Sequence, residues 1–212
     1  MKITEEVLKK IDELFLQLKL PNALRPQVLE HLEKMDARIL GADVAIATAI
    51  FLVCRRNAIP ISLTLICNVT GVSRKKIHKM LKRNGGIVDT TAPEQYIFPL
   101  LDRLEINGRL REQMREEALK FIEKMNSMSF IPLVKAVAAV YLAGVKIGVS
   151  ITQQKLEEVT GITSAAIRNV ITELYGRRSE KSIRTIIKRQ EQRFSGDYRG
   201  FITAYERWLR DV

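Results

Sequence analysis

The stretches VTGVSRKKIHKMLKRN (residues 69–84) and VTGITSAAIRNVITEL (residues 159–174) share one grammar, ninety residues apart. In each, Val-Thr precedes a Gly, an apolar residue follows it, Ser or Thr comes next, and apolar residues then recur three and four apart. Gly71 and Gly161 can take the left-handed conformation that ends a helix without a Cβ penalty. Val72 and Ile162 can plug the angle between two helices. Ser73 and Thr163 are expected to N-cap the second helix by accepting hydrogen bonds from its free amides. The pattern predicts a helix–turn–helix junction, built twice. Any right-angled helix pair in an all-α core would read the same way, so the recurrence says more than either copy alone.

Working outward, an ungapped shift of ninety residues lays 46–83 over 136–173. Identities include Ala49/Ala139, Leu52/Leu142, Ile61/Ile151, Val69/Val159, Thr70/Thr160, Gly71/Gly161 and Ile77/Ile167. Conservative pairs such as Ile50/Val140, Phe51/Tyr141 and Ser62/Thr152 fill the gaps. The repeat predicts two copies of one helical domain. In each, a long helix apolar nearly all round (DVAIATAIFLVCRRN, LVKAVAAVYLAGVKI) precedes a short one (SLTLICNVT, TQQKLEEVT), the Gly turn and a further helix. Strand alternation with hairpin turns is absent, and Pro and Gly divide the rest into helix-length segments. The expected architecture is all-α, with a first repeat over 1–88, a second over 89–176 and a helical extension over 177–212.

Charge separates the two copies. The chain has 212 residues, a formal net charge of +11 and a sequence pI near 9.8. That balance points to a polyanionic partner, nucleic acid or an anionic membrane surface. Residues 45–91 hold a net +7 and residues 176–212 a net +5, while the other segments nearly balance. Helical phasing buries Ile77, Met80 and Leu81 and turns Lys75, Lys79 and Lys82 outward, flanked by Arg74, Lys76, His78 and Arg83. Flexible ammonium groups neutralise phosphates and position a protein without reading sequence. In the second copy Ile167, Val170, Ile171 and Leu174 are expected to be buried. Ala165, Arg168, Asn169 and Thr172 then face outward. A small residue beside Arg and Asn suits base-edge reading, because Arg pairs with guanine and Asn with adenine. One copy reads as a backbone clamp and the other as a base reader, although an ordinary solvated helix would also show such a face.

Other chemistry is unsupported. Cys54 and Cys67 are expected to be reduced, buried core residues of an intracellular protein. Neither they nor His31 and His78 have ligand-spaced companions, so no metal or cofactor is expected. No signal peptide is visible. Lys135 and Lys146 interrupt the most apolar stretch and argue against a membrane span. No paired carboxylates, phosphate-cradling Gly loop or nucleophile–base pair suggests an enzyme.

Taken together, AIATAIFLVCRRNAIPISLTLICNVTGVSRKKI, PEQYIFPLLDRLEI and AVAAVYLAGVKIGVSITQQKLEEVTGITSAAIRN resemble the core of the transcription initiation factor IIB family, archaeal type, over roughly residues 8–175. The resemblance implies two tandem five-helix cyclin-like repeats that grip double-stranded promoter DNA and TATA-binding protein, with RNA polymerase a further partner left open. The family's base-reading positions map onto Ala165 and Arg168, and Gln153 and Gln154 fall where phosphate contacts are plausible. The chain lacks the cysteines of the family's amino-terminal zinc ribbon, and Ala165 is smaller than the family's usual residue there. A cytoplasmic, nucleoid-associated protein is expected.

The resemblance does not reach residues 177–212. Arg177, Arg178, Lys181, Arg184 and Lys188 are candidates for additional DNA contact or for an ordinary solvated face. Phe194, Tyr198, Phe201, Tyr205 and Trp208 form an aromatic stripe that suits packing on the second repeat or, failing that, a partner-binding helix. Two rival functions remain on sequence grounds: a cyclin-like adaptor for another protein, against which the focused +7 counts, and a nonspecific nucleoid protein.

Overall fold

The computed structural model describes residues 3–35, 40–84 and 91–175, and among these every regular element is a helix. The chain divides into two compact units, Met1–Thr91 and Ala92–Val212. The described residues of each unit hold five α-helices. Those of the first are α1 (Glu5–Gln17), α2 (Arg25–Lys34), α3 (Ala42–Arg56), α4 (Leu63–Thr70) and α5 (Arg74–Arg83). The second holds α6 (Ile97–Arg103), α7 (Gly108–Lys124), α8 (Pro132–Ile147), α9 (Gln153–Thr160) and α10 over 164–175.

The long apolar helices are central in their units, as their composition predicts. In α3, Ala45, Ala47, Thr48, Ala49 and Ile50 are fully buried, and α2, α4 and α5 all pack on this helix. Small side chains let neighbouring helices approach closely, and the Thr48 hydroxyl is satisfied by donating to Val44 O at 2.6 Å. In α8 every residue from Ala136 to Val145 is buried. The two lysines that interrupt it reach outward: Lys146 pairs with Glu117 at 2.6 Å, and Lys135 lies 3.5 Å from Asn126 O. No helix among the described residues is long and apolar enough to cross a membrane. Cys54 is buried as expected, but Cys67, though packed against the first unit's core from α4, is only half-buried. Leu174 is likewise half-buried rather than buried, one residue before the end of the described chain.

Local hydrogen bonding repeats between the units. At the end of α3, Ile59 N donates to Cys54 O at 2.8 Å, and at the end of α8, Val149 N donates to Gly144 O at 2.8 Å. Leu20 N to Phe15 O (2.9 Å) and Ile106 N to Leu101 O (3.0 Å) make the same closure after α1 and α6. Each is the long-range bond of a Schellman-type helix end, which requires a left-handed residue just before the donor. Gly148 supplies it at φ 84°, but Ala58 occupies the equivalent place at φ 51°. Left-handed backbone costs a Cβ-bearing residue about 1–2 kcal/mol, part of which glycine's greater unfolded-state freedom offsets. Ala58→Gly is therefore expected to raise stability by about 0.5–1 kcal/mol and Gly148→Ala to lower it by about 1 kcal/mol, read as opposite shifts of the urea midpoint at unchanged slope.

Candidate nucleic-acid interface

The two helix–turn–helix junctions are built by the same local bonds. Ser62 and Thr152 begin the short helices, their hydroxyls accepting from Leu65 N (3.2 Å) and Lys155 N (3.0 Å). The short helices end at left-handed glycines, Gly71 at φ 69° and Gly161 at φ 70°. Their amides donate to Cys67 O (2.9 Å) and Glu157 O (2.7 Å). The threonine of each Val-Thr-Gly has a role that sequence reading missed. Thr70 Oγ1 donates to Ile66 O (2.7 Å) and accepts from Val72 N (3.3 Å), while Thr160 Oγ1 donates to Leu156 O (2.7 Å) and accepts from Ile162 N (3.1 Å). Each hydroxyl thus bridges the turn, and the adjacent plugs Val72 and Ile162 are buried. The recurrence of Thr next to Gly was the available signal.

At the start of the following helix the copies diverge. Thr163 Oγ1 accepts from Ala166 N at 3.2 Å and caps α10 as expected. Ser73 stands at the same place before α5, but its hydroxyl makes no capping bond. The Lys76 amide that it would have capped instead donates to the Ser73 carbonyl at 3.0 Å, a tighter first turn that leaves the hydroxyl without a donor.

Along α5 the faces separate cleanly. Ile77, Met80 and Leu81 are buried at 0–2% exposure, and Arg74, Lys75, Lys76, His78, Lys79, Lys82 and Arg83 are all exposed. Among the described residues no carboxylate forms an ion pair with any of these cations; the one polar contact on this surface joins Arg74 Nε to His78 Nε2 at 3.3 Å. Elsewhere the described chain does pair its charges, as in Lys10–Asp43 (2.6 Å) and Arg25–Asp12 (3.0 Å). Lys75, Lys79 and Lys82 follow one another at four- and three-residue spacing, so their ammonium groups form a stripe. Such a stripe can match a row of phosphates and repels itself without one.

On α10, Ile167, Val170 and Ile171 are buried against the unit. Ala165 and Asn169 are exposed, and Arg168 and Thr172 are half-buried; the spacing of three, four and seven puts all four on one side of the helix. Gln153 is half-buried at the first position of α9, and Gln154 is exposed with its amide nitrogen donating to Glu158 at 3.2 Å. Glu157 is a further residue of this junction that sequence reading passed over. Its Oε2 accepts from both Ser164 N and Ser164 Oγ at 2.9 Å. Those two bonds, the backbone one first, hold the Glu157 carboxyl below the usual range, with burial opposing and the Arg168 charge assisting. In the first unit the place of Glu157 is taken by Cys67, whose thiol burial pushes up against the pull of Arg74. The candidates Arg177, Arg178, Lys181, Arg184 and Lys188, with the aromatic stripe, lie outside the described residues. Among the described residues no three His, Cys, Asp or Glu side chains cluster as a metal site would require.

No family model matches the chain. It is 28% identical over 175 residues to transcription initiation factor IIB 2 of Thermococcus kodakarensis, an alignment covering 79% of this chain and 57% of that protein. Identity is also 28% with transcription initiation factor IIB of Archaeoglobus fulgidus, over 79% of this chain and 54% of the relative. With the protein of that name from Methanococcus maripaludis it is 30%, over 79% and 52%. The chain spans about half the length of these curated relatives.

Proposed function

We propose, from the premise that this chain has a core of the transcription initiation factor IIB type, that it acts as a transcription initiation factor or regulator binding promoter DNA together with TATA-binding protein. The observation that carries this reading is the contrast between two junctions of matching geometry. In one, the helix after the turn presents Lys75, Lys79 and Lys82 with no carboxylate partner among the described residues; in the other it presents Ala165, Arg168 and Asn169. The first helix holds phosphates and the second reads base edges, because point charges on flexible stems locate a backbone and a planar guanidinium beside a small residue selects a base.

The test is a gel shift on a TATA-containing duplex, with and without TATA-binding protein. Cooperative ternary binding is the expected result. Binding indifferent to that partner would replace this reading with a nonspecific nucleoid role, and no binding to any duplex would favour a protein adaptor. Two single variants resolve the division of labour. Arg168→Ala is expected to cost about 1–3 kcal/mol on the preferred site and to relax preference at one or two base pairs, whereas Lys79→Ala weakens all sequences alike and lowers the salt slope by about one. Uniform loss from both would remove the reader assignment.

A further inference from the structure

The second junction carries an ionised carboxylate where a DNA-facing surface would be expected to avoid one. Glu157, the fifth residue of α9, reaches across the turn to the first residue of α10, where one oxygen takes both hydrogen bonds that Ser164 can offer. That placement uses one of the α10 backbone N–H groups that would otherwise be open to an anion at this end of the helix. It also fixes a full negative charge one helical turn from Arg168. The first unit is the internal control. There Cys67 replaces Glu157 and Arg74 replaces Ser164, so the same corner has no carboxylate and gains a guanidinium.

Glu158 and Glu173, the other acids of this segment, are both exposed. Glu158 accepts from Gln154 on its own helix, and neither is bonded across the turn among the described residues. Of the three, Glu157 alone is bonded to α10 by contacts that survive only while the turn keeps its shape.

We propose that Glu157 is a specificity-determining residue of the second unit, a pinned charge that rejects phosphate at the first turn of α10. Duplex registers that bring the sugar-phosphate backbone to that corner are disfavoured by like-charge repulsion, and registers that bring base edges to Arg168 are not. At this corner the second unit thereby contributes selectivity by refusing the contact that α5 of the first unit seeks. This inference rests on the reading of α10 as a DNA-facing helix.

The test compares Glu157→Gln with Glu158→Gln in the full chain, each measured on a random-sequence duplex and on a TATA-containing duplex with TATA-binding protein. Glutamine keeps a carbonyl acceptor for Ser164 and removes the charge, so an unchanged thermal midpoint identifies a folded variant; if it melts early, Ser164→Ala, which unpins the carboxylate and keeps the charge, takes its place. Glu157→Gln is expected to bind random duplex about five- to tenfold more tightly at about 50 mM salt, with the gain shrinking toward about 200 mM, and to leave promoter affinity within about twofold. Glu158→Gln is expected to change random-duplex affinity by less than about twofold. Ser164→Ala is expected to shift random binding in the direction of Glu157→Gln by a smaller factor. Equal gains from Glu157→Gln and Glu158→Gln would overturn the proposal in favour of net charge alone. No gain from Glu157→Gln, while Arg168→Ala still relaxes base preference, would overturn it and leave the DNA-facing reading standing. No effect from Glu157→Gln or Arg168→Ala would remove both.

Discussion

A variant with Lys75, Lys79 and Lys82 all changed to glutamine is expected to lose most of its grip on duplex DNA without losing its fold. Each lysine that neutralises a phosphate releases condensed counterion, so binding weakens with salt in proportion to the number of such contacts. For roughly six to ten contacts in all, the affinity of the unaltered chain should fall about 10³–10⁵-fold between about 50 and 200 mM salt. Removing three contacts lowers the slope of log K against log salt by about 2.7, so over the same range the variant should lose about fortyfold less. Stability is expected to move the other way. The three side chains are exposed and lie at spacings where like charges repel by about 0.2–0.5 kcal/mol per pair, so the triple variant should be as stable as the parent or slightly more so. Fluorescence anisotropy over a salt series, with urea unfolding alongside, checks both. An unchanged slope would mean that this stripe does not meet phosphates.

Ile77→Ala is the complementary case, with the largest expected effect on stability. Ile77 has no exposed surface, lies on the side of α5 opposite the lysine stripe, and belongs to the core cluster of the first unit. Its truncation loses the transfer free energy of the removed carbons and leaves a cavity, because the surrounding core is made of fixed, interdigitated side chains, Ile46, Ile50 and Ile66 among its buried members. The expected cost is about 2–5 kcal/mol, a large share of the stability of a domain this size. A urea titration should show an earlier midpoint at unchanged slope. DNA binding measured well below that midpoint should keep the parent's salt slope, because the charges are untouched. A loss under about 1 kcal/mol would mean that α5 is not anchored through this residue.

Much of the architecture was legible because it is written in short-range terms. A left-handed Gly after Val-Thr, a hydroxyl before a helix and apolar residues three and four apart constrain the chain within a few residues, so Gly71, Gly161, Thr163 and the buried rows of α5 and α10 fall where the pattern predicts. Ser73 shows the limit of that logic: a hydroxyl at the place where Thr163 caps can lose its cap to a carbonyl competing for one amide. Cys67 and Leu174 show another, since apolar character does not tell how far a neighbouring helix extends over a side chain.

By itself the sequence determined that the described residues are helical, that one junction occurs twice ninety residues apart, and that the first copy carries the cations. Those properties follow from periodicity, turn chemistry and composition, which act along the chain. Tertiary structure decided which charges are neutralised and which are left open. Glu157 meets Ser164 across a turn, Lys146 meets Glu117 from another helix, and the α5 lysines meet no carboxylate among the described residues. Coulomb attraction and hydrogen bonding act over a few ångströms of space, and only the folded path sets which side chains come within that reach.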